Sequence, residues 1–190
     1  MTRRRSPTLE AAAAAIGLST VGFVGGVIGV GPATFALALP LAAQPWTVVT
    51  SVYAHASVSH LVLNLLAFLL AGVVIEGRTT RLRFHAFVLV TGMLSGLSTV
   101  LLGTFLGRSV AVIGLSGAVL ALVGYLLGGN LLTDVVVGRL SVSRRTWIPV
   151  VLGLALLVAV ATGGPNVAYT AHVTGFLLGL VAGRSRLLRA

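Results

Sequence analysis

Across residues 11–75 the chain carries no Asp, Glu, Lys or Arg, and a run of that kind leaves few folds open. Soluble globular domains carry about 25% charged residues. Here 8% are charged and 57% hydrophobic, with a mean hydropathy of +1.07. The 190 residues fall within the roughly 100–200 of one unit. The few charges separate apolar stretches of about 20 residues, the length of a bilayer-spanning helix. The composition therefore predicts an all-α membrane protein.

Charges, prolines and glycine clusters divide the chain into about six spans. The first covers residues 10–30 and ends at the GVGP break. An irregular apolar stretch with Pro32, Pro40 and Pro45 follows, too rich in proline for a regular helix. It reads as a loop against the outer interface, with Trp46 and Tyr53 as interfacial anchors. The second span runs from Val58 to Glu76, the third over 84–106 and the fourth over 110–132. Trp147 opens the fifth, which stops at the GGPN turn of residues 163–166, and the sixth covers 167–183. In domain terms, 1–9 is a cytoplasmic N-terminal segment, 10–183 a six-helix membrane domain with an outer loop at 31–57, and 184–190 a cytoplasmic tail. The basic, apolar N-terminus also has the look of a signal peptide, but the spans that follow favour a retained first helix.

All 13 basic residues are arginine, against 3 acidic residues. Nearly all the arginines fall at the N-terminus, in the second-to-third and fourth-to-fifth connections, and at the C-terminus; Arg108 lies on the other side. This is the asymmetry of a membrane protein with both termini cytoplasmic. The same spacing provides no continuous basic patch for nucleic acid. The absence of cysteine excludes a disulfide framework, a thiolate zinc site and a cysteine nucleophile, and nothing in the pattern calls for a metal or other cofactor.

Polar residues inside a span are costly and by default mark function. His60 and Asn64 lie four apart, on one face of the second span. Ser116, in GLSG, starts the fourth, and His172 starts the sixth. At 1.5 Å per residue each lies on the order of 10 Å below the outer surface. A serine hydroxyl needs a base to become a nucleophile, and histidine is the usual one. Ser116 is the candidate nucleophile and His172 the candidate base. His60, Asn64 and the Ser116 N–H are candidate donors to an oxyanion. Glu10, Glu76 and Asp134 map to cytoplasmic ends, so the chemistry would run on a Ser–His dyad. Gly175 and Gly179 on the sixth helix, and Gly117, Gly124 and Gly128 on the fourth, are the small residues that allow close helix approach in lipid.

These residues resemble the rhomboid intramembrane serine proteases. The resemblance rests on Trp46 and Thr50 as W-x3-T, on His55, His60 and Asn64 as HxxxxHxxxN, and on Glu76 with Arg78. It continues through Gly114, Ser116 and Gly117 as GxSG and through AHxxGxxxG from Ala171 to Gly179. It implies a six-helix membrane enzyme in the compact prokaryotic form, in a cell membrane. Such an enzyme cleaves a transmembrane protein substrate in or near its helix, with Ser116 as nucleophile, His172 as base, and His60 and Asn64 lining the oxyanion site. Two positions depart from the pattern. Thr47 stands where arginine usually follows the tryptophan, and Leu120 stands where a tyrosine often packs on the catalytic histidine, leaving Tyr169 and Tyr125 as its aromatic neighbours.

Other polar residues read as ordinary. His55 is expected to be a solvated loop histidine, His85 a positive-side interface residue, and Glu76–Arg78 and Asp134–Arg139 helix-end ion pairs of little energetic weight. Competing functions fit less well. A small transporter would place polar groups through the full depth of the bundle. A bis-histidine haem carrier leaves Ser116 and Asn64 without a role. An inactive relative acting as a binding protein has no need of both Ser116 and His172.

Overall fold

The computed structural model describes residues 5–129 and 168–189. Among these the elements are α1 (Pro7–Gly25), α2 (Thr47–Tyr53), α3 (Val58–Glu76), α4 (Arg81–Phe105), α5 (Ser116–Gly128) and α6 (Ala168–Arg184). No strand occurs among the described residues; the one sheet-like contact is an isolated antiparallel pair, Leu37 with Val112. The fifth span, the GGPN turn, Asp134 and the arginines of the fourth-to-fifth connection lie outside the described residues.

Three stretches are long and apolar enough to cross a membrane: Pro7–Ile28, Val58–Glu76 and Arg81–Phe105; Ser116–Gly128 is a shorter apolar helix. Caps set their bounds. Ser6 accepts a hydrogen bond from the Leu9 N–H, with Pro7 at the first helical position, so α1 begins three residues before the expected Glu10. Ser57 accepts from the His60 N–H and Thr80 from the Arg83 N–H, each supplying an acceptor that the first turn lacks.

The fourth span departs from expectation. Residues 110–115 are apolar but not helical, and α5 starts at Ser116. Val112 is held to Leu37 by two backbone hydrogen bonds of 2.8 and 2.9 Å, and Gly114 has φ +126°, which a residue with a Cβ rarely adopts. The outer loop is also more ordered than expected, with short turns at Pro32–Phe35 and Leu41–Ala43 and the two-turn α2. The first turn begins at Pro32 and the second directly after Pro40, while α2 starts two residues after Pro45; proline suits such starts but not a helix interior.

Charged side chains gather at one end of the bundle and tie its helices together. Glu76, at the end of α3, accepts from the Ser6 hydroxyl at 2.5 Å and the Thr8 N–H at 3.1 Å. It caps α1 rather than pairing with Arg78. Glu10 pairs with Arg81 at 2.6 Å and lies 2.9 Å from His85 Nε2, so His85 is a hydrogen-bond partner of Glu10 and not a lone interface residue. Arg83 donates to the Arg189 carbonyl. The N-terminal ends of α1 and α4 and the C-terminal ends of α3 and α6 thus share one end. The loop of residues 31–57 and the start of α5 occupy the other.

The core centres on α5. Every residue of Ser116–Leu126 is buried, with Phe68, Phe84, Val88 and Ile75 packed around them. Against α6 the contact is backbone on backbone. A Cβ at Gly124 would strike the Phe176 carbonyl, one at Gly128 the Leu180 carbonyl, one at Gly175 the Gly117 carbonyl and one at Gly179 the Ala121 carbonyl. Glycines on both helices therefore interlock over almost the whole length of α5, the close approach that small residues permit in lipid.

Candidate active site

The close α5–α6 contact brings two buried side chains together. His172 Nε2 lies 2.8 Å from Ser116 Oγ, within hydrogen-bond range. Ser116 is 8% exposed and His172 3%. The pair bridges 56 positions of sequence, so tertiary packing alone makes it. Ser98 Oγ donates to Thr174 Oγ1 at 3.0 Å and ties α6 to α4 two residues from His172. Ser95, bonded to the Thr91 carbonyl at 2.7 Å, fills the space beside Gly117 and Gly175. Neither contact was anticipated, although both involve the intramembrane polar residues that mark sites.

The segment delivering Ser116 is pinned almost residue by residue. After the Val112–Leu37 pair, the Gly114 N–H donates to the Ser51 carbonyl at 2.8 Å. The Leu115 N–H donates to His55 Nε2 at 3.3 Å. His55 Nδ1 in turn lies 3.0 Å from the Tyr53 carbonyl and 3.1 Å from Ser19 Oγ. A carbonyl only accepts, so Nδ1 carries the proton and Nε2 is the acceptor. Both roles are filled only by the neutral ring. Burial pushes the His55 pKa down to about 3, and the charge of His60 acts in the same direction. His55 is 0% exposed, which corrects the expectation of a solvated histidine. It is a bracket between α1, the end of α2 and the loop that leads into Ser116.

His60 stands edge-on to His55, ring centroids 5.0 Å apart, and its ring lies against Gly114. A Cβ at Gly114 would come within 2.7 Å of His60 Cε1 and 2.9 Å of Nε2. Glycine is thus required there twice over, by the positive φ and by the space. Asn64 is fully buried, and its Nδ2 donates to the His60 carbonyl at 2.9 Å. His60 Nε2 and Asn64 Oδ1 are buried with no hydrogen-bond partner among the described residues. Such atoms carry a desolvation cost that a bound polar group would relieve. Ser116 is the first residue of α5, and the preceding Leu115 provides no side-chain cap. The first-turn N–H groups therefore present the positive end of the helix at the hydroxyl.

Of the two departures from the family pattern, the one at Thr47 has a structural answer. Thr47 is buried and donates to the Gln44 carbonyl at 2.6 Å, while Trp46 Nε1 donates to the Thr34 carbonyl at 3.1 Å. The outer loop is anchored through its own backbone without an arginine. Tyr53 is half-buried and packs against the core. Leu120 is buried. Of its expected aromatic substitutes, Tyr169 is 52% exposed, and Tyr125 lies toward the far end of α5, accepting from the Leu188 N–H at 3.2 Å.

Helices of membrane-spanning length that converge on a buried serine–histidine pair define a polytopic membrane protein with the parts of a serine hydrolase site. The family model of the rhomboid domain matches residues 42–189, and the chain belongs to the rhomboid family. Among similar proteins, RHOMBOID-like protein 6, mitochondrial, of Arabidopsis thaliana is 27% identical over 139 residues, covering 73% of this chain and 44% of that protein. RHOMBOID-like protein 4 of the same plant is 29% identical over 149 residues, covering 77% and 35%. RHOMBOID-like protein 1 is 27% identical over 146 residues, covering 77% and 36%. The chain spans less than half the length of these relatives. They are plant proteins and give no support to a prokaryotic source. The family and the apolar helices make this an integral membrane protein.

Proposed function

We propose that the chain is an intramembrane serine endopeptidase that cleaves a transmembrane protein substrate in or beside its helix. The observation that carries this reading is the 2.8 Å approach of His172 Nε2 to Ser116 Oγ. In the proposed cycle, neutral His172, with its proton on Nδ1, takes the Ser116 proton on Nε2 as Oγ attacks the scissile carbonyl carbon. The oxyanion is met by the Ser116 N–H and by donors from His60 and Asn64. Collapse to the acyl-enzyme breaks the peptide C–N bond, and His172 passes its proton to the departing amine. Water then gives a proton to His172, attacks the ester, and the proton returns to Oγ. No carboxylate takes part, and Gly114, Gly117, Gly175 and Gly179 hold the geometry. The proposed setting is a six-span bundle with both termini cytoplasmic, its site opening toward the outer face, which the segregation of arginines supports.

The test is cleavage of a membrane-anchored test substrate in proteoliposomes, with fluorophosphonate labelling of the protein read by mass spectrometry. The expected result is cleavage and a single adduct on Ser116, both lost in Ser116→Ala and His172→Ala. If neither cleavage nor labelling occurs in a bilayer, the chain is an inactive member of its family.

A further inference from the structure

From the charged end of the bundle a groove of about 500 Å³ runs between α4 and α6. Its walls are apolar: Phe87, Val90 and Leu94 from α4, Leu178 and Ala182 from α6, and Leu187 from the segment after α6. The one hydroxyl in its lining, Thr91, is already bonded to the Phe87 carbonyl at 2.7 Å, so the groove offers no polar ligand along its length. At its end stands Arg83. No carboxylate among the described residues pairs with Arg83; the nearby Glu10 is taken by Arg81 and His85. Arg83 is fixed by donating to the Arg189 carbonyl. The segment after α6 is folded back to make that contact: Arg186 has φ 54° and Leu188 is buried. The result is a closed end with a cationic edge.

We propose that this groove is a binding site for one anionic glycerophospholipid, its acyl chain along α4 and α6 and its phosphate on Arg83. Two observations fix the occupant. From Arg83 to Leu94 the groove runs ~16 Å along the α4 axis, close to the ~15 Å of hydrocarbon in one leaflet, so a chain anchored at the membrane surface fills it. At the surface end Arg83 has no carboxylate partner among the described residues, and Arg184 and Arg186 are exposed at the end of α6, which selects an anionic headgroup over a zwitterionic one. A transmembrane helix laid there would have to bring a matching anion to the same depth at its end. The site is independent of the proposed peptidase chemistry.

The experiment uses the full chain, whose lack of cysteine allows single labels. Bimane is attached to Leu177→Cys, the neighbour of the groove residue Leu178 on α6, or to Leu70→Cys on α3, away from the groove; both positions are more than half exposed. Vesicles of phosphatidylcholine carry a small fraction of chain-brominated phosphatidylglycerol or chain-brominated phosphatidylcholine, and quenching is compared. At Leu177 the brominated anionic lipid should be enriched roughly fivefold over the zwitterionic one, the effect of one basic side chain at an anionic surface. At Leu70 the two should quench alike. Arg83→Gln should level the difference at Leu177, and Arg83→Lys, which keeps the charge, should retain it. Equal quenching at both positions would mean ordinary surrounding lipid only and overturn the proposal. So would quenching by neither lipid at Leu177, which would mean that protein fills the groove. A preference that survives Arg83→Gln would overturn the placement of the headgroup.

Discussion

Gly175→Ala tests whether helix contact sets the distance between Ser116 and His172. A Cβ at this position would overlap the Gly117 carbonyl oxygen, and it would lie 2.9 Å from the carbonyl carbon and 3.0 Å from Ser95 Oγ. Neither neighbour can give way: one is helix backbone, and Ser95 is tied to the Thr91 carbonyl. Ordinary carbon contacts stand at about 3.5–4.0 Å, so α6 must withdraw by on the order of 1 Å. His172 lies three residues earlier on the same helix and shares that displacement. Its Nε2, now 2.8 Å from Ser116 Oγ, would move past the ~3.5 Å at which a hydrogen bond is no longer made. A misplacement of ~1 Å at a reacting pair costs about 10²-fold in rate, and overpacking costs about 1–3 kcal/mol in stability. The comparison is Gly183→Ala, where a Cβ would meet the Tyr125 carbonyl and lie 2.8 Å from the Gly129 nitrogen, ~16 Å along the helix from His172. Both variants should unfold earlier by similar amounts in a thermal melt. Only Gly175→Ala should lose about 10²-fold in substrate cleavage and in fluorophosphonate labelling of Ser116. Wild-type cleavage and labelling in Gly175→Ala would show that the glycine contact does not position the dyad.

For the oxyanion donors, His60→Ala and Asn64→Ala should each lower kcat by up to about 10²–10³, less where the Ser116 N–H carries the load; a double variant turning over at the wild-type rate would remove both from the mechanism. His55→Gln should weaken the hold on the Leu115 N–H. It should also flatten the acid limb of stability: His55 is neutral when folded, with a pKa of about 3, against about 6.5 unfolded. Its contribution is full above pH ~6.5 and falls as pH drops toward the folded value, because only the unfolded chain takes up the proton. Chemical melts between pH 7 and 4 with equal slopes for wild type and variant would contradict the buried, neutral assignment. Finally, Arg108→Cys should react with an impermeant maleimide from the outer side of sealed vesicles and Arg186→Cys from the cytoplasmic side; the reverse pattern would overturn the orientation.

Much of this arrangement is legible in the sequence, and the places where it is not share a cause. The bounds of α3 were readable because hydropathy begins after a capping serine, Ser57, and ends at Glu76 before Gly77. The start of α5 was not, because residues 110–115 are as apolar as the helix that follows. Hydropathy reports burial, whereas the backbone of this segment is decided by Leu37, Ser51 and His55, all distant in sequence. The burial of His55 has the same cause: a histidine in a short loop is solvated unless distant groups close over it, and here Ser19 comes from α1. Glu76 closes α3 and Arg78 lies past its C-cap Gly77, so helix spacing does nothing to hold the two together. The carboxylate instead finds the uncapped N–H of Thr8 across the bundle. The serine and histidine were identifiable as costly polar residues at matching depths, yet depth alone leaves them anywhere on a circle around the bundle. Their 2.8 Å separation follows from where glycine interrupts the side-chain layer on α5 and α6 in register, so that peptide groups touch where side chains would otherwise hold the helices apart. A spacing set by backbone contact has no soft side chain to absorb an error. The same glycines that make the pair therefore also make it intolerant of a single added methyl group.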